Sequence, residues 1–182
     1  MKKRTGTVRV WDRAVRVLHW ALVASVGLSA LSLVDALGMP GLHRPAGYAA
    51  LAIVLLRGVW GFVGRGHARF AAFLRGPAAT LHYLRLVIAH REPRSLGHNP
   101  LGAWMIVALM LGVSALAFSG WLYTTEMFWG SEAVEDVHRA LAWGLLGLVA
   151  LHLAGVIFTS VRHRENLVGA MIDGEKDARD EA

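Results

Sequence analysis

The chain of 182 residues contains no cysteine. That excludes a disulfide, a thiolate-held iron–sulfur cluster, a cysteine zinc site and covalent C-x-x-C-H attachment of haem. Charge is scarce as well: 18% of the residues are charged and 55% are hydrophobic, where soluble domains carry about 25% charged and about 45–50% apolar residues. The charge is missing in blocks. Four apolar runs, 14–34, 44–64, 101–123 and 137–161, contain no carboxylate. Each is close to the roughly 20 residues a helix needs to cross about 30 Å of hydrocarbon. A lipid-embedded backbone must satisfy its own hydrogen bonds, so the runs are expected to be helices. The length suits one domain, and the expected architecture is an all-α membrane protein, a four-helix bundle over residues 1–182.

The formal net charge of +6 would suggest nucleic acid in a soluble protein. Here the basic residues fall between the spans instead, and no nucleic-acid partner is expected. Lys2, Lys3, Arg4, Arg9, Arg13 and Arg16 lead into the first span. Arg65, Arg69, Arg75, Arg85, Arg91 and Arg94 separate the second from the third, and Arg162, Arg164, Lys176 and Arg179 follow the fourth. The two other connections hold only Arg44 and Arg139, and the second of them is acidic, with Glu126, Glu132, Glu135 and Asp136. By the positive-inside rule both termini are cytoplasmic. The start is read as a retained helix rather than a cleaved leader, because charge recurs at Asp12, Arg13 and Arg16. Between spans two and three, Pro77–His90 places Leu81, Leu84, Val87 and Ile88 at helical spacing around Arg85, which predicts an amphipathic surface helix. The charged tail from Asp173 is expected to fray.

The histidines supply the chemistry. His19 lies near the cytoplasmic start of span one and His43 at the outer mouth of span two. Span four carries His138 at its outer end and His152 deeper in, 14 residues further along. Fourteen residues rise about 21 Å along an α-helix and return within about 40° of the same face. One helix therefore presents two imidazoles at two depths, and the topology matches His152 in depth with His19 and His138 with His43. An ionisable side chain in a span is a functional-site hypothesis by default, and imidazoles from neighbouring helices can hold a haem between them. Gly27, Gly47, Gly144, Gly147 and Gly155 would let a macrocycle approach the backbone. The alternative for any single histidine is a hydrogen bond to the next helix or an interfacial position. His67, His82, His90, His98 and His163 lie in surface segments and are read as solvated.

Arg57 stands 14 residues beyond His43 on span two. A central arginine costs about 2.5–3.5 kcal/mol on insertion scales and needs a buried anionic or polar partner. A haem propionate would serve; snorkelling to the headgroups is the alternative. Asn99 before Pro100 is either a helix cap or, with His98, part of a quinone pocket. Trp20, Trp60, Trp104, Trp121, Trp129 and Trp143 are expected to form an interfacial belt.

The segments VRVWDRAVRVLHW (8–20), HARFAAFLRGP (67–77), GHNPLGAWM (97–105) and HRENLVGAMIDG (163–174) resemble the bacterial cytochrome b561 family, which includes the cytochrome b subunits of nickel–iron hydrogenases. The similarity runs over nearly the whole chain. It implies a four-helix bundle with two haem b groups, the inner bound by His19 and His152 and the outer by His43 and His138. Thr124–Asp136 is short and offers little outer surface for docking a large partner.

With both axial positions filled by histidine, the expected task is one-electron transfer. Electrons would pass between the quinone pool (ubiquinone or menaquinone) and a periplasmic electron carrier or dehydrogenase subunit. The setting is the bacterial inner membrane, with membrane lipid as partner and a homodimer left open. The acidic outer loop would orient a basic carrier. Rival readings are an anchor subunit of a hydrogenase or other periplasmic dehydrogenase, a histidine-dependent proton channel or transporter, and a histidine-liganded membrane metalloenzyme.

Overall fold

A computed structural model describes residues 6–34 and 37–178. Lys2, Lys3, Arg4 and Arg179, which count toward the expected orientation, lie outside the described residues. Among those described there are seven helices and one two-stranded sheet: β1 (Thr7–Arg9), α1 (Arg13–Leu31), α2 (His43–Val63), α3 (Phe70–Phe73), α4 (Pro77–Ile88), α5 (Pro100–Leu122), α6 (Glu132–His163), α7 (Leu167–Asp173) and β2 (Glu175–Asp177). Four of them, α1, α2, α5 and α6, are long and apolar enough to cross a membrane.

The ends of these helices follow from local chemistry. Asp12 caps α1, its Oδ1 accepting the amide of Val15 at 2.7 Å. Asn99 does the same for α5 through the amide of Gly102, also at 2.7 Å, with Pro100 in the first turn. Helix α6 is longer than its apolar core. It begins with Glu132 and Glu135 in the first turn and ends on Arg162 and His163, charges that complement the helix dipole at each end. Its 32 residues span about 48 Å, well beyond the hydrocarbon thickness. Helix α1 stops short of the expected Val34. The amides of Leu33 and Val34 turn back to Ala30 and Leu31, and this tightening releases the carbonyl of Ser29 from the helical ladder.

The chain divides into two compact units, and each of the four long helices contributes residues to both. One unit holds residues 17–58 and 108–150. Within it the four helices pack as a bundle around Ala50, Val54, Val113 and Leu145, with Leu22 and Val26 of α1 and Leu109, Met110 and Leu116 of α5 against them.

The other unit holds residues 1–16, 59–107 and 151–182. Its core is Val10, Trp11, Val15, Ala68 and Ala170, flanked by Trp60 and Met171. Fraying is expected from Asp173, but through residue 178, the last one described, the tail is ordered; residues 179–182 lie outside the described residues. Strand β2 pairs antiparallel with β1, Val8 opposite Lys176. Gly174 makes the turn possible: it sits at φ 89°, where only glycine is unstrained, and its carbonyl accepts the amides of Val10 and Trp11 at 2.9 and 3.1 Å. Basic residues expected to act only as topological charges are paired in this unit. Arg162 bonds Glu92 at 2.8 Å, Arg94 pairs with Glu165, and Lys176 lies 3.4 Å from the same carboxylate. Burial pushes the Glu92 carboxyl up, but the hydrogen bond and positive charge of Arg162 outweigh it and hold the group below its ordinary value. Burial lowers the Lys176 ammonium, with Glu165 opposing the shift.

Candidate functional site

The first unit brings two of the predicted histidines together. His43 opens α2 and His138 lies in the second turn of α6, and their ring centroids stand 6.2 Å apart with the planes at 79°. An imidazole nitrogen sits about 2 Å from a metal, with the ring centre roughly 1 Å further back. Two rings on opposite sides of one iron are therefore about 6 Å apart, centre to centre. The observed separation suits ligation by both.

The hydrogen bonds fix which nitrogen each ring presents. His43 Nδ1 lies 2.9 Å from the carbonyl oxygen of Ser29, the one that the early end of α1 has released. A carbonyl only accepts, so Nδ1 carries the proton and Nε2 keeps its lone pair. Ser32 Oγ donates to the same carbonyl at 2.7 Å, and Ser29 Oγ donates to the carbonyl of His43 at 3.2 Å. At His138, Nδ1 lies 2.9 Å from Ser119 Oγ. The Ser119 hydroxyl spends its one proton on the carbonyl of Leu116, also at 2.9 Å, so toward His138 it can only accept. Both rings are thus set in the tautomer whose Nε2 keeps a free lone pair, oriented from behind as metal-bound histidines usually are. Gly120 leaves room for the second ring: a Cβ there would come within 3.0 Å of His138 Cε1.

Ser29, Ser32, Ser119 and Gly120 were not singled out by the sequence. Serines inside an apolar run have no period of their own, and the only cue would have been their placement opposite a histidine at equal depth. Among the glycines expected to admit a macrocycle, Gly27, Gly144, Gly147 and Gly155 present bare backbone, with nothing within 4 Å of an added Cβ, while a Cβ at Gly47 would meet Ser29 Oγ at 3.9 Å. Among the described residues no group of three or more His, Cys, Asp or Glu side chains gathers. Two imidazoles without a third donor match a haem, whose macrocycle supplies the remaining iron ligands.

The other predicted residues are placed individually. His19 lies on α1, half-buried, its ring edge-on to Trp20 at 5.4 Å. His152 is half-buried on α6 and belongs to the other unit. Arg57 is half-buried on α2. Of the quinone candidates, Asn99 is engaged as the α5 cap, and His98 packs between Trp11 and Phe73 at 4.5 and 5.0 Å. The acidic loop is less negative than its sequence implied, because Arg139 pairs with Glu135 at 2.6 Å and Asp136 at 3.5 Å. Five of the six belt tryptophans are exposed; Trp60 instead turns inward and donates to Asp12 Oδ2 at 2.9 Å.

Four apolar crossings with paired imidazoles between them define a multi-pass helical membrane protein of the cytochrome b class. Comparison with known proteins narrows this. The family model for prokaryotic cytochrome b561 matches residues 10–174, and the chain belongs to that family. Two relatives are described as probable Ni/Fe-hydrogenase B-type cytochrome subunits. The one from Bradyrhizobium diazoefficiens is 25% identical, covering 96% of this chain and 87% of the relative. The one from Rhizobium leguminosarum bv. viciae is 26% identical, covering 96% and 90%. Membership establishes a bacterial multi-pass membrane protein that carries electrons through haem b, and it decides against the transporter and metalloenzyme readings.

Proposed function

We propose that the chain carries electrons between the quinone pool and a periplasmic redox partner through two haem b groups. His43 and His138 would hold the outer one, and His19 and His152 the inner one. Both termini are taken as cytoplasmic. The observation that carries the reading is the 6.2 Å spacing of His43 and His138 with both Nδ1 atoms engaged from behind. The His19–His152 pair rests on helix spacing and on the family pattern.

When bound, haem supplies a one-electron couple with no open coordination position for oxygen or substrate. The protein does the rest. The Ser29 carbonyl and the Ser119 hydroxyl accept hydrogen bonds from the two Nδ1–H groups and hold each ring with Nε2 forward. The apolar core of Ala50, Val54, Val113 and Leu145 fixes the helices that carry the two rings. Arg57, in the next part of α2, would pair with a propionate of the inner haem and favour the reduced iron. The quinone would be taken near His98, where the apolar wall of Trp11 and Phe73 flanks a ring able to exchange a proton.

A second reading has its own support. Both relatives are described as hydrogenase cytochrome subunits, so the outer partner would be a periplasmic dehydrogenase subunit for which this chain is the membrane anchor. Purified in membrane form, the protein should be red and give a low-spin b-type spectrum on reduction, and quinol should reduce it. A spectrum that quinol leaves unchanged while dithionite reduces it would remove the quinone from the account.

A further inference from the structure

Helix α4 is apolar on more than its core face. Tyr83 is buried and Leu86 and Val87 are half-buried, which is the face the core needs. A second stripe, Leu81, Leu84 and Ile88, points outward, with Leu81 50% and Ile88 71% exposed. At 100° per residue these three lie on one line with Pro77. Across from them, Leu101 and Trp104 belong to the first turns of α5. Together Pro77, Thr80, Leu81, Leu84, Leu101 and Trp104 line an open cleft of about 310 Å³, the size at which ligand clefts begin. The cleft sits at the start of α5, a helix long and apolar enough to cross a membrane. Trp104 closes one edge by donating its indole N–H to the carbonyl of Arg75 at 3.1 Å.

Along the segment from span two through α4 the charge has one sign. From Gly64 to Arg91 the chain carries Arg65, Arg69, Arg75, Arg85 and Arg91 and no carboxylate at all. All five arginines are exposed. Arg75 lies at the cleft edge through its carbonyl, and Arg85 follows Leu84 one turn beyond Leu81. An apolar trough in a segment whose charged residues are all exposed arginines is complementary to one ligand chemistry, an acyl chain that carries a phosphate.

We infer that the α4–α5 cleft binds an anionic phospholipid, one acyl chain lying along Leu81, Leu84 and Trp104 and its phosphate held by Arg75 and Arg85. The lipid would anchor the segment between spans two and three to the membrane surface. This inference is independent of the haem assignment.

The test uses the purified full chain in detergent micelles, titrated with brominated-chain phosphatidylglycerol and, separately, with brominated-chain phosphatidylcholine. Bromine quenches a nearby indole, and the contribution of Trp104 is the difference between the native chain and Trp104→Phe. We expect this component to respond to phosphatidylglycerol at a concentration on the order of 10-fold lower than to phosphatidylcholine, as two arginines at a membrane surface allow. The preference should vanish in the Arg75→Gln, Arg85→Gln double variant, while the haem spectrum reports that each variant is folded. Equal response to both lipids overturns the inference, as does a preference that the double variant keeps. Displacement of either bromolipid by a short-chain quinone, with no headgroup preference, overturns it in favour of a quinone cleft.

Discussion

Replacing Ser119 by alanine removes one hydroxyl and leaves the His138 ring without its anchor. Ser119 is buried, so water does not take over, and the Nδ1 proton of His138 loses an acceptor 2.9 Å away. An unsatisfied buried donor costs about 1–3 kcal/mol. Loss of an outer-shell partner of a metal-bound histidine typically weakens the metal site about 10–100-fold, which is about 1.4–2.7 kcal/mol. The two figures agree, and both concern the outer haem only. A second effect has a definite sign. A histidine that no longer donates from Nδ1 is a less basic ligand and stabilises the oxidised iron less, so the midpoint of the outer haem should rise. The assay is a potentiometric titration of the visible spectrum with haem content measured on the same sample. Ser119→Ala should lose outer haem on dilution or mild heating and show the raised midpoint; Ser119→Thr, which keeps the hydroxyl, should restore both. A Ser119→Ala protein with native haem retention and native midpoint would refute the assignment of Ser119 as the orienting partner.

Further outcomes follow from single contacts. Gly120→Val should displace the His138 ring, because even the first added carbon falls within 3.0 Å of Cε1; the outer haem should be lost or become high-spin by electron paramagnetic resonance while the helical circular dichroism stays native. Glu92 has a carboxyl pKa held below its ordinary value. Its contribution to stability is therefore complete above the ordinary carboxylate range and is lost as pH falls through the depressed pKa. Glu92→Gln should remove this acid limb from a plot of unfolding midpoint against pH and lower stability near neutrality by roughly 1–2 kcal/mol, since exposed Arg162 screens part of the pair. Arg57→Leu should lower the midpoint of the inner haem if the guanidinium pairs with a propionate; an unmoved midpoint would place it at the headgroups. Arg139→Gln should unmask Glu135 and Asp136 and steepen the salt dependence of electron transfer to a basic carrier, read by stopped-flow at several ionic strengths.

The long helices were legible because length and apolarity alone force a helix in lipid, and the approach of His43 to His138 was legible from depth along two helices. The cap at Asn99 could be read from its neighbour Pro100, and α4 from the spacing of Leu81, Leu84 and Ile88. The orienting serines were not legible: Ser119 sits inside the apolar run of α5 with no period of its own, and the role of Ser29 depends on where α1 stops. Leu33 and Val34 are as apolar as the helix before them, and nothing in the run announces that the ladder ends at Leu31 to free the Ser29 carbonyl. The terminal clasp was misread for a different reason. A tail of Asp, Glu, Lys and Arg has the composition of a solvated segment, yet Lys176 is buried against Glu165 and β2 pairs with β1 residues far away in sequence. Only the two ends meeting makes those charges structural. Trp60 likewise looks like a belt residue until Asp12, from another segment, accepts its N–H.

The central claim is that His43 and His138 bind one and the same iron. The most direct measurement is haem content per chain, with the spectrum of what remains, in His43→Ala and in His138→Ala. The account expects each variant to lose the same one of two haems, leaving identical residual spectra and midpoints. Native haem content in both variants, or residual spectra that differ between them, would contradict it.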